Sequence, residues 1–98
     1  MQFLAVVRRL TESFPQSAFD ELLDAEAEGV RRLYAEGIVR NAWSREDVLG
    51  ACLLIEADSR EHAQASLDTL PLFANNMVEC QLVPIRGYRG FGPRSIQS

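Results

Sequence analysis

Six acids fall within FDELLDAEAEGVRRLYAEG, residues 19–37, and one of them stands among apolar neighbours. At 100° per residue, Phe19, Leu22, Leu23, Val30, Leu33 and Tyr34 form one stripe of a helix, and Glu26 falls near its middle. Asp20, Glu21, Asp24, Glu28 and Glu36 project elsewhere, with Arg31 and Arg32. Removing a carboxylate from water is costly, so its placement needs a reason. General-base chemistry supplies one. Apolar surroundings raise a carboxylate's pKa towards neutrality, the range needed to take a proton from a carbon beside a carbonyl. Returning that proton at a different carbon would complete an isomerisation. The structural alternative is an ion pair with an inward arginine, Arg8 or Arg40 for example, or a glutamate at a subunit contact.

The companions of such a base are a ring-sized wall and a cation. Trp43 could form one side of a flat pocket, although large aromatics on strands also serve as core. Arg8, Arg9 and Arg40 lie at strand ends, where a guanidinium could hold a substrate carboxylate by two parallel bonds. Strand alternation allows only one of Arg8 and Arg9 to face inward, and Arg8 and Arg40 are the favoured pair. His62, the single histidine, reads as a surface residue near a helix N-terminus. Cys52 and Cys80 are far apart in apolar runs, without metal or redox spacing, and fit buried free thiols in a reducing cytoplasm. No metal site is expected, and neither a serine-nucleophile elbow nor a glycine-rich phosphate loop is present.

Elements that could position these residues follow from the pattern. Ninety-eight residues, 47% hydrophobic and 24% charged, suit one folded domain with one core. A net charge of −4 argues against a nucleic-acid partner, and no apolar run is long enough for a membrane. The start MQFLAVVRRL lacks the features of a secretion signal and reads as mature structure. QFLAVVRR (2–9) reads as a strand; a helix follows from a cap at Ser17 to about Glu36, with Gly37 as its left-handed end. Residues 38–44 and 48–57 read as strands around a tight turn. Asp58 or Ser59 caps a second helix with Ala63, Ser66, Leu67 and Leu70 inward and Pro71 as its stop, and residues 77–85 form the last strand. The order βαββαβ predicts an α+β, ferredoxin-like domain over residues 1–86: a four-stranded antiparallel sheet with two helices on one face.

LAVV (4–7) and VLGACLLI (48–55) do not alternate with polar residues, so both faces of the central strands are apolar while the helices cover one. The other face demands a partner, and a second copy, sheet against sheet, is the economical one. The tail IRGYRGFGPRS (85–95) interleaves Arg86, Arg89 and Arg94 with Tyr88 and Phe91. One such copy on an acidic chain is a poor RNA-binding signal; packing of residues 87–98 on a neighbouring subunit explains the aromatics better.

The element order, the first helix DELLDAEAEGVRRLYAEG, Trp43, and LDTLPLF (67–73) closing the second helix resemble the muconolactone Δ-isomerase family over about residues 1–85. The resemblance implies a dimeric α/β barrel, homodimers that often assemble further, no cofactor or metal, and migration of a double bond in an unsaturated lactone during aromatic catabolism. It implies that Glu26 is the proton-shuttling base. The chain departs from that family in having no lysine, where one is expected near Leu23, and in carrying Asn41 in RNAWS where a histidine stands. A tail arginine lent by a neighbour could replace the missing cation. Two functions follow: a cofactor-free proton-transfer enzyme for a small anionic unsaturated lactone or carbonyl compound, with Glu26 as base and Trp43, Arg40, Arg8 and Asn41 binding; or a non-catalytic small-molecule-binding or oligomeric scaffold of the same fold.

Overall fold

Alternation along β1 (Gln2–Arg9) sets the layering. Phe3, Ala5 and Val7 are buried, opposite Ile55, Leu53 and Ala51 of β3 (Gly50–Glu56) and Pro84, Leu82 and Cys80 of β4 (Val78–Ile85). β2 (Val39–Ser44) pairs with the far edge of β3, which gives an antiparallel sheet in the order β2-β3-β1-β4. The computed structural model describes residues 1–92 in this ferredoxin-like α+β arrangement. Its helices are α1 (Gln16–Asp20), α2 (Leu23–Ala35), α3 (Arg60–Leu67) and α4 (Pro71–Ala74). Leu33, Ala63, Leu67 and Leu70 press on the odd-numbered side of β1, which makes one core.

Local chemistry sets the helix ends. At the end of α2, Gly37 adopts φ 80°, its N–H reaches the Tyr34 carbonyl at 3.0 Å, and the Ile38 N–H reaches the Leu33 carbonyl at 2.9 Å. That is a Schellman motif, in which a left-handed glycine satisfies the last free carbonyls. Ser59 caps α3, its hydroxyl oxygen accepting the His62 N–H at 3.0 Å. All four expected inward positions of α3 and its exit, Ala63, Ser66, Leu67 and Leu70, are buried.

Three expectations are corrected. The first helix is two, interrupted at Glu21 and Leu22, and it starts after Pro15 without a cap from Ser17. Phe19 is drawn into a separate cluster with Leu72 and Met77, edge-on to Phe14 with centroids 6.2 Å apart, and the bend leaves α2 on the sheet. Pro71 opens α4 rather than only ending α3, because its fixed φ and missing N–H suit a first helical turn. Tyr34, at the border of the apolar stripe, is 64% exposed.

β2 carries a bulge: Val39 pairs with Ile55 and Asn41 with Leu54, so Arg40 is the extra residue. The insertion reverses the alternation. Val39 faces the core, whereas Asn41 and Trp43 lie on the open side with Leu54 and Cys52, and Trp43 is 49% exposed. The open side also carries Leu4, Val6 and Val83, partly exposed.

β3 passes close over β1 at Gly50, where a Cβ would enter the Val7 carbonyl oxygen. Neither backbone can retreat without opening the ladder. Gly50→Ala should therefore lower stability by about 3 kcal/mol, measured as a lower urea midpoint at unchanged slope; an unaltered midpoint would mean that the strands have room.

Candidate functional site

Glu26 stands one turn into α2, facing the turn Leu70–Pro71–Leu72 that starts α4. The first amides of a helix have no partner within it. Proline brings none, and the Leu72 N–H donates to Glu26 Oε1 at 2.9 Å. A carboxylate from one helix thus completes the start of another, and one of its oxygens is fixed in space. No donor reaches Oε2 among the described residues. Burial pushes the Glu26 carboxyl above its ordinary value, while the Leu72 N–H and the charge of Arg9 pull the other way.

Beside this carboxyl lies a cavity of about 150 Å³ between α2, α4 and the ends of β1 and β3. A dry cavity of roughly that size accommodates a benzene-sized ring. Most of its wall is apolar, with Val7, Leu23, Leu53 and Phe73 among the contributors. Three polar side chains line it: Glu26, Arg9 and Ser44. Arg9 shares the inward parity of Val7, and its guanidinium carbon lies 5.6 Å from the centre of the Phe19 ring. None of its nitrogens lies within 4 Å of a carboxylate oxygen among the described residues. Ser44 faces in because the β2 bulge sets it opposite Ala51. A half-desolvated base, a cation and a hydroxyl around an apolar hollow can bind a small polar ring and move a proton on it.

The other residues singled out from the sequence are placed elsewhere. Arg8 points to the open side of the sheet, where its Nε meets Glu79 at 2.7 Å and its terminal nitrogens grip Glu12 at 3.0 and 2.9 Å. These partners raise the Arg8 pKa, and Arg8 in turn holds the Glu12 carboxyl down at about 2. The inward arginine of the pair is Arg9. Arg40 sits at the bulge, exposed, beside a hollow of about 310 Å³ shared with Val30, Tyr34 and Asn41. Trp43 and Asn41 face away from Glu26 across the sheet. His62 Nδ1 accepts the Asp58 N–H at 3.1 Å and helps to close the start of α3. Burial pushes the Cys80 thiol up to about 11, and Cys80 and Cys52 lie on opposite sides of the sheet. A larger hollow of about 600 Å³ runs outside α2 past Glu28, Arg31, Arg32 and Thr69, whose side chains pair locally in open solvent. No group of three metal-ligating side chains, and no helix long and apolar enough to cross a membrane, occurs among the described residues.

Of the cavity residues, Ser44 escapes a reading of the sequence, and Arg9 is named there but passed over in favour of Arg8. The signal for Arg9 was present in the odd-numbered apolar series Phe3, Ala5, Val7, which already points residue 9 inward. For Ser44 there was none, because a bulge leaves no mark in the apolar pattern.

A family model described as muconolactone delta-isomerase matches residues 1–89. The fold also matches a crystal structure of muconolactone isomerase with a TM-score of 0.76, covering 100% of this chain and 97% of that one at 22% sequence identity. Among curated proteins none matches significantly.

The raised Glu26 pKa has a definite linkage. Between its ordinary value near 4.5 and its higher folded value, the folded protein binds more protons than the unfolded chain, so stability falls as pH rises through that window. Glu26→Gln keeps an oxygen for the Leu72 N–H and removes the penalty. In urea titrations the variant should match the wild type below pH 4.5, gain on it through the window up to the folded value, and keep a constant lead above that. A variant less stable at every pH would mark the carboxylate as structural.

Proposed function

The chain belongs to the muconolactone delta-isomerase family, and on that premise we propose that it is a cofactor-free isomerase, or a related proton-transfer enzyme, for a small anionic unsaturated lactone or carbonyl compound. The observation that carries this reading is the Glu26 carboxyl opening onto a ring-sized apolar cavity with one oxygen held by the Leu72 N–H. In the proposed step Glu26 takes a proton from a carbon next to the conjugated system. The C–H bond breaks, its electron pair enters a dienolate, and negative charge gathers on the carbonyl oxygen. The neutral carboxylic acid then returns the proton at another carbon, so the double bond moves and the base is restored. Ser44 is the neutral hydroxyl among the lining residues and can donate to that oxygen.

A second reading keeps the same fold as a binding or scaffold protein, in which Glu26 serves only to cap α4. The Leu72 bond favours it, since a cap needs no substrate. Trp43, Arg8 and Asn41 enter the proposal only if a second copy covers the open side, for that is where the sheet and its bulge carry them. Arg40, at the bulge beside Val30 and Tyr34 of α2, enters only through a ligand at that edge. The partly exposed Leu4, Val6, Cys52, Leu54 and Val83 support such a homodimer through the sheet. Residues 1–86 would be the folded unit and 87–98 a tail over a neighbour. Tyr88 and Phe91, 78% and 87% exposed, lack burial within one copy, and Arg94 lies outside the described residues. Two free cysteines support a reducing, cytoplasmic setting.

Two experiments test these points. Incubation with unsaturated lactones in heavy water should give carbon deuteration, and Glu26→Gln should lower turnover by about 10³-fold with the fold intact. The rising limb of the kcat/KM profile should lie above pH 4.5, following the Glu26 shift. Deuteration that survives the substitution removes Glu26 as the base; none with any lactone favours the scaffold. Separately, Leu54→Glu should convert the oligomer to monomer by sedimentation velocity, and an unchanged mass would exclude the sheet interface.

A further inference from the structure

Three arginines among the described residues are partly withdrawn from water: Arg8, Arg9 and Arg45. Arg8 is matched by Glu12 and Glu79, and Arg45 by Asp47 at 2.7 Å. Arg9 lies within 4 Å of no carboxylate oxygen among the described residues, although it shares a cavity with Glu26. Its guanidinium lies over the Phe19 ring, which interacts with the charge and occupies none of its N–H donors. The ring is fully buried and anchored by Phe14, so the guanidinium has a fixed platform.

We propose that Arg9 anchors the ligand of the Glu26 cavity by binding a carboxylate of that ligand, whose apolar ring or short chain fills the hollow. Planar N–H pairs match a carboxylate in two parallel bonds. Arg9 lines the cavity from the β1 wall and Glu26 from the α2 wall, so an acid held by Arg9 shares the hollow with the base. The cation also offsets the repulsion between an anionic ligand and an ionised Glu26. The inference rests on the cavity being the ligand site, but not on catalysis.

Benzoate and its neutral isostere benzamide test it by calorimetric titration. Wild-type protein should bind benzoate in preference to benzamide, a contrast that requires no variant. Arg9→Met, which keeps an apolar stem on Phe19, should weaken benzoate by at least about tenfold and leave benzamide unchanged. Glu26→Gln should bind benzoate at least as tightly as wild type. Equal benzoate affinity in R9M, no preference for the acid, or no benzoate binding at millimolar concentration would overturn the assignment. The two readings fail separately: turnover in E26Q removes the base and leaves the anchor, whereas acid binding that ignores Arg9 removes the anchor and leaves the base.

Discussion

A single hydrogen bond, from the Leu72 N–H to Glu26 Oε1, holds the site together. It joins α2 to the start of α4 through two residues 46 apart in sequence, and answers two needs at once. The amide at the start of α4 requires an acceptor because Pro71 and Leu72 precede any intrahelical bond. The carboxyl requires a donor because burial has removed much of its water. One bond serves both, and it leaves the second carboxyl oxygen without a protein donor among the described residues. The LPLF turn is thus part of the site as well as of the fold.

The sheet distributes the chemistry between its two sides. Odd positions of β1 face the helices and end at Arg9; even positions face outward and end at Arg8. Two adjacent arginines therefore meet opposite environments. Arg8 joins a solvated network with Glu12 and Glu79, and such exposed pairs contribute little to stability. Arg9 stands over an aromatic ring beside a hollow, where a charge without a carboxylate partner has more effect on what binds. Leu23, near which the family resemblance implies a lysine, lines the same cavity. A cation is present after all, and it comes from the strand wall rather than the helix.

The open side raises a separate physical demand. Leu4, Val6, Leu54 and Val83 form a partly exposed apolar row beside Trp43, the kind of surface that marks interaction sites. The helix layer is already committed to the other side through Leu33, Ala63, Leu67 and Leu70. Core formation thus uses one face of these strands and leaves the apolar residues of the other face uncovered within one copy.

Much of this was legible in the residues. The order of strands and helices, the inward set of α3, the glycine end of α2 and the anomalous position of Glu26 all follow from periodicity and end chemistry, which are local and act over a few residues. The location of Trp43 and Ser44 was not legible, since one extra residue at Arg40 reverses the alternation without altering the apolar pattern. The break at Glu21 and Leu22 was equally hidden, because Phe19 answers to Leu72 and Met77, far along the chain. The sequence by itself determined that a carboxylate would sit on a buried helix face in a βαββαβ domain. Only the tertiary structure decided its partners, an amide from α4 and the charge of Arg9, because hydrogen-bond direction and Coulomb distance depend on how separate elements approach one another.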